Sequence, residues 1–331
     1  MALKLSLIIP VYNRPDEIQE LLTSVTQQTV QVDEVVIIED GSNLSSKKVV
    51  DSFLSTLPIR YFEKPNSGPG DSRNYGMKRA QGDFFIILDS DCILPENYIK
   101  SIHEALDGAP VDFFGGPDRS HESFTMIQKA IDYAMTSIVT TAGIRGAIAK
   151  RFQPRSFNMG ISKEAFEASQ GFSRIHPGED PDLTLRLWKL GFKSSLFKKS
   201  YVYHKRRINW KLFAKQLYKF GATRPILNRW HQRKFTLIYW FPLLFSVGLL
   251  ISLVGLFFGY KLLFYGYLTY LFIIFIHASF KMVSPLIAIM SVGAVLLMYM
   301  SYGWGYLSTS VKMCCATKEA EELFPHLFFK K

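Results

Sequence analysis

A chain of 331 residues can hold one large or two ordinary domains, and 48% apolar residues exclude a disordered protein. The net charge of +11 is unevenly placed, because residues 1–182 carry 18 Lys/Arg against 25 Asp/Glu while residues 183–318 hold 19 Lys/Arg and no acid. Such a basic half beside long apolar runs points to an anionic membrane surface rather than nucleic acid, and three cysteines without CxxC spacing exclude both a disulfide framework and a zinc ribbon.

Residues 5–9 form an apolar run too short for a signal-peptide core, and Pro10-Val11-Tyr12-Asn13 follows with no cleavage site. The N-terminal half is therefore expected in the cytoplasm. Apolar runs at 5–9, 34–39, 59–63 and 84–88 predict strands, and the patterns at 17–27, 46–54 and 70–80 predict helices between them. Alternation of this kind gives an α/β fold with a mostly parallel sheet, in which ligands bind at the carboxyl ends of the strands.

Three of those ends carry chemistry. Glu39-Asp40-Gly41-Ser42 closes the second strand, where Asp40 is placed to accept the imide hydrogen of a pyrimidine base. The loop from Asn66 to Gly76 is glycine-rich and runs into a helix bearing Arg73, so loop amides, a helix N-terminus and a forked guanidinium favour phosphate. Neither GxGxxG nor GxxxxGK[ST] is present, which argues against dinucleotide and P-loop binding. Asp89-Ser90-Asp91 follows the buried fourth run and sets two carboxylates at i and i+2, hard oxygen ligands suited to Mg²⁺ or Mn²⁺. Further on, Gly178-Glu179-Asp180-Pro181-Asp182-Leu183 opens a helix with clustered acids. A carboxylate there can take a proton from an attacking hydroxyl, while Asp182 and Arg186 form an i, i+4 pair.

Twelve Lys/Arg lie from Lys198 to Lys234 and place that flank on the cytoplasmic side of the first span. Within it Trp210, Phe213, Leu217 and Phe220 recur at helical spacing, with Lys211, Lys215 and Lys219 in a separate row, which predicts an interfacial amphipathic helix. Three hydrophobic segments follow, at 236–258, 262–280 and 282–311, each long enough to cross about 30 Å of hydrocarbon at ~20 residues per span. Two spans plus a re-entrant piece is the alternative. His277, inside the second segment, is expected to be a packed polar contact. The expected organisation is a catalytic domain at 1–204, a basic juxtamembrane segment at 205–234, a membrane region at 235–311 and a tail at 312–331.

In order and in kind, Ile8-Ile9-Pro10-Val11-Tyr12-Asn13, Glu39-Asp40-Gly41-Ser42, Ser72-Arg73-Asn74-Tyr75-Gly76, Leu88-Asp89-Ser90-Asp91, Asn158-Met159-Gly160 and Gly178-Glu179-Asp180-Pro181-Asp182-Leu183 resemble the family 2 inverting glycosyltransferases. The resemblance implies a Rossmann-like GT-A fold and a nucleotide-sugar donor, with a UDP-sugar favoured. It also implies Asp40 on the base, Arg73 near the base or diphosphate, Asp89 near the ribose, and further donor contacts from Pro10, Tyr12, Asn13, Ser42, Asn74 and Ser90. Asp91 would hold Mg²⁺ or Mn²⁺, a histidine such as His204 would complete the metal site, and Asp180 beside Glu179 would supply the catalytic base. A lipid-linked or glycan acceptor in cell-surface glycan synthesis, and a multi-pass inner or plasma membrane location, complete the expectation. Processive polysaccharide synthases of the same family carry Gln-x-x-Arg-Trp, and the nearest match here is Ile226-Leu227-Asn228-Arg229-Trp230, without the glutamine. Transfer of single sugars is therefore expected over polymerisation; a catalytically inactive membrane scaffold is the third reading.

Overall fold

The computed structural model describes residues 3–119, 121–141, 152–205, 209–232 and 237–329. In chain order the elements are β1 (Leu5–Val11), α1 (Pro15–Thr26), β2 (Glu34–Asp40), α2 (Lys47–Asp51), β3 (Ile59–Lys64), α3 (Pro69–Met77), β4 (Phe84–Leu88), β5 (Cys92–Ile93), α4 (Tyr98–Gly108), β6 (Phe113–Gly115), β7 (Asp118–Arg119), α5 (Met126–Thr136), α6 (Ile138–Thr141), β8 (Asn158–Ser162), α7 (Lys163–Ser169) and α8 (Glu179–Lys189). They continue with β9 (Ser194–Leu196), β10 (Val202–His204), α9 (Trp210–Trp230), α10 (Leu237–Phe257), α11 (Leu262–Met282), α12 (Pro285–Cys314) and α13 (Ala320–Leu323). The chain forms two compact units: Met1–His121, Gly146–Lys205 and Phe328–Lys331 make the first, Glu122–Arg145 and Arg206–Leu327 the second.

The first unit is built on a sheet ordered β3-β2-β1-β4-β8-β6-β9 among the described residues. β1 runs parallel to β2 and β4, β2 parallel to β3, and β6 parallel to β9, while β8 is antiparallel to both β4 and β6. The mostly parallel α/β arrangement read from the sequence is what forms. Alternation of side chains along each strand divides the apolar residues between two cores. Leu5, Leu7, Ile9, Val35, Ile37, Ile86 and Leu88 face one layer with α1 and α4; Ile8, Val36, Ile38, Phe85 and Ile87 face the other with Met77, Phe166, Leu183 and Leu187. A smaller sheet, β5-β10-β7, pairs Cys92 with His204.

The second unit is helical. Ile131, Tyr133, Ala134 and Met135 of α5 join its apolar cluster with Phe213 and Leu217 of α9, Ile274 of α11 and Tyr299 of α12. The first half of α9 is amphipathic as expected, with Lys211 and Lys215 exposed, but residues 221–227 are buried all round. α9 lies close against α12 because both supply glycines: a Cβ at Gly221 would collide with the Tyr302 carbonyl, and one at Gly305 with the Tyr218 carbonyl. Three tyrosine hydroxyls inside the bundle are paired. Tyr133 Oη lies 2.7 Å from His277 Nδ1, Tyr270 and Tyr299 share a 2.9 Å contact, and Tyr299 donates to the Thr140 carbonyl at 2.6 Å. α10, α11 and α12, of 21, 21 and 30 residues, are long and apolar enough to span a membrane. Phe257, Leu262, Phe280 and Val283 are 90%, 88%, 83% and 90% exposed, an apolar surface that calls for lipid.

Candidate active site

The carboxyl ends of β1, β2 and β4 meet along one edge of the parallel sheet, and the loops leaving them carry the expected donor residues. Beyond β1, Tyr12 is 48% exposed and Asn13 adopts a left-handed backbone with φ 54°. Asn13 spends its polar groups on the neighbouring loop: its N–H donates to Ser42 Oγ at 2.7 Å and its Oδ1 accepts from Leu44 N–H at 3.0 Å. Ser42 in turn donates to Glu39, which also accepts from Ser46 and, at 3.0 Å, from Tyr61 Oη.

Asp40 is buried and clasps the glycine-rich loop. Its Oδ1 accepts from Lys64 Nζ at 2.6 Å and Ser67 N–H at 3.0 Å, and its Oδ2 accepts from Gly68 N–H at 3.0 Å and Asn66 Nδ2 at 3.3 Å. Every lone-pair direction of this carboxylate is thus directed at the protein's own loop. Asn74 is likewise committed, with Nδ2 on the Phe172 carbonyl and Oδ1 on the Phe172 N–H, each at 2.8 Å. Pro10 stays within β1 and Ser90 is buried in the turn after β4.

The centre of the site is Arg73. This buried guanidinium on α3 donates from Nη2 to Asp89 Oδ1 at 2.8 Å and from Nη1 to Glu179 Oε1 at 3.1 Å, with the Phe172 ring 5.4 Å away. It therefore ties the Asp89 turn to the start of α8, where Glu179 lies 106 residues beyond Arg73 itself. Burial disfavours its charge, yet Asp89 and Glu179 outweigh this and raise its pKa. Burial would likewise raise the Glu179 carboxyl, but His176, whose Nδ1 is 3.0 Å away, and Arg73 hold it well below the usual carboxylate range. Asp180 goes the other way. Burial and then the Glu179 charge push it up to about 6, against the pull of Arg73 and Arg155. Its Oδ1 is buried with no hydrogen-bond partner among the described residues. One carboxyl held ionised beside another poised near neutrality is the pattern expected of an acid–base site. Asp182 meets Arg186 at 2.9 Å as the spacing predicted.

Asp91 and His204 come together from β5's approach and β10, with Nε2 of the imidazole 3.2 Å from Asp91 Oδ1. The His204 ring stacks on Phe157 at 4.7 Å, and its Nδ1 is buried without a partner among the described residues. Cys92 lies in the same cluster, but its thiol donates to the Phe157 carbonyl at 3.4 Å and burial pushes its pKa well up. Sequence reasoning missed Arg14, whose Nη1 meets Asp91 Oδ2 at 2.7 Å, and His176. Arg14 stands one residue past the Tyr12-Asn13 motif, a signal that was available; His176 sits two residues before Gly178 in no recognisable pattern.

Residues 6–166 match glycosyl transferase family 2. An uncharacterised glycosyltransferase of Haemophilus influenzae is 33% identical over 133 residues, 39% of this chain and 44% of its own length. Glycosyltransferase AglE of Haloferax volcanii is 26% identical over 193 residues, 56% of this chain and 62% of its own. The chain spans between 14% and 44% of the length of the first curated relatives it matches. Among solved structures, mannosyltransferase PcManGT from Pyrobaculum calidifontis, in complex with GDP-Man and Mn²⁺, superposes with a TM-score of 0.58 at 16% identity, over 96% of this chain and 89% of that one. At that identity the likeness is one of fold.

Proposed function

We propose that this chain, whose residues 6–166 match glycosyl transferase family 2 and whose last long helices are apolar enough to span a membrane, is an inverting transferase moving a sugar from a nucleoside diphosphate donor, a UDP-sugar in the first instance, to a lipid-linked or glycan hydroxyl. The observation that carries this reading is the Arg73 bridge between Asp89 and Glu179, with Asp180 poised beside it. In the proposed step the acceptor hydroxyl gives its proton to Asp180 as its oxygen bonds the anomeric carbon. The bond from that carbon to the diphosphate breaks on the opposite face, and its electron pair leaves with the phosphate oxygen. In this reading Arg73 holds Asp89 in place on the diphosphate side of the site, and the exposed Tyr12 ring would offer the base a stacking surface.

A divalent cation fits the remaining residues. One carboxylate, Asp91, and one imidazole, His204, within 3.2 Å of each other suit Mg²⁺ or Mn²⁺ and leave positions for donor oxygens, while the high-pKa Cys92 thiol suits neither ion. Such an ion, when bound, would offset charge on the departing diphosphate. Arg14 holds Asp91 and would share it with the ion or yield it. The basic flank of α9 supports a cytoplasmic catalytic unit at a cell membrane.

The test is a panel of UDP-, GDP- and dTDP-sugars offered to the detergent-solubilised full chain with and without Mn²⁺. Transfer from one donor, lost by about 10²–10⁴-fold in Asp180→Asn and abolished in Asp91→Ala with folding intact, is the expected result. Full activity in either variant would remove the assignment.

A further inference from the structure

The chain leaves α12 at Cys314 and residues 328–329 lie in the first unit. Phe328 makes an antiparallel bridge with Ile175, and Phe329 N–H donates to the Arg174 carbonyl at 3.1 Å. The Phe329 ring covers Gly68 so closely that a Cβ there would overlap it, and the glycine's φ of 92° already excludes ordinary side chains. The same ring lies 5.7 Å from the His176 ring, inclined at 51°.

Both residues under that ring belong to the site. Gly68 donates its N–H to Asp40 and caps α3, the helix that carries Arg73. His176 reaches Glu179 Oε1, the oxygen that Arg73 also meets. A lone phenyl ring therefore touches the turn that sets the start of α3 and the imidazole that sets Glu179. The 328–329 segment packs where two loops of the site meet.

We propose that Phe329 is a positioning residue for transfer: its ring clamps the Gly68 turn and the His176 ring together and so, through Glu179, keeps the Arg73 guanidinium on Asp89. The proposal rests on the reading of that cluster as the donor site. Loss of the ring should loosen both loops and weaken the hold on the donor without removing the base.

The experiment uses the full chain in detergent with Phe329→Ala, Phe329→Leu, His176→Ala and the double variant. Hydrogen exchange of the peptides spanning 66–70 and 174–180 needs no donor and reads the clamp directly. Phe329→Ala should speed exchange in both peptides at unchanged Tm. It should raise donor KM about tenfold, in keeping with the loss of one aromatic contact, while kcat stays within about twofold. Phe329→Leu should restore most of the loss, and the double variant should be no worse than His176→Ala alone. Unchanged exchange in either peptide, a wild-type KM, or additive single effects would overturn the proposal. If the wild-type chain transferred no sugar from any donor, the functional reading would fall and the exchange result would still decide the clamp.

Discussion

At the scale of single residues, Asp180 makes a claim about pH. A general base works only when ionised, and the ionised fraction falls tenfold for each pH unit below the group's pKa. With Asp180 as the proposed base, raised to about 6, turnover should be flat above neutrality and decline through an acid limb centred near that value. A rate profile recorded with the donor saturating checks this, and no decline down to about pH 5 would contradict it. The places of Asp89 and Asp91 just past β4, of Arg73 on α3 and of Asp180 at the start of α8 were legible from the apolar runs and turn residues around them. Asp40 was legible in place but not in its contacts. The reading left it free for a base, whereas the β2–β3 register sets it opposite Lys64 and the loop closes over both oxygens. Arg14 stands beside the Tyr12-Asn13 motif although its partner Asp91 lies 77 residues away, whereas Phe329 is an isolated side chain that no local pattern announces.

At the scale of elements, β1 to β4 fall where their apolar runs placed them; β1, β2 and β4 are buried on both faces and are near-continuously apolar, while β3 at the sheet edge is half exposed. α5 and α6 did not yield to the sequence. The apolar side of α5 has meaning only against the helical unit, and its partners are encoded far downstream, Ile274 lying 141 residues after Tyr133. The long helices were plain from composition, but the contact between α9 and α12 was not, because a glycine signals close approach only once its neighbour is known. That contact predicts a contrast. Gly305→Ala should destabilise by about 1–3 kcal/mol, since the methyl would strike the Tyr218 backbone, whereas Gly293→Ala on the same helix meets nothing within 4 Å and should be neutral. Melting temperatures in one detergent would separate them; equal shifts would contradict the packing described.

At the scale of the whole molecule, the exposed phenylalanines and leucines of α10 and α11 predict that the protein sediments with membranes, resists extraction by alkaline carbonate and is released by detergent. Release by carbonate alone would contradict the spanning reading. The division of the chain between its two units carries a different consequence. The chain passes from one unit to the other at 121/122, 145/146, 205/206 and 327/328, so neither unit is a continuous stretch. A ribosome that has released residues 1–205 has made most of the catalytic unit, but α5 still lacks the helices it packs on and the Gly68 turn lacks Phe329. The Gly68 turn gains the Phe329 ring only after α10 to α12 have been made. The transfer proposed above would therefore wait on the synthesis of the three long helices, leaving little opportunity for donor to be consumed before they are made.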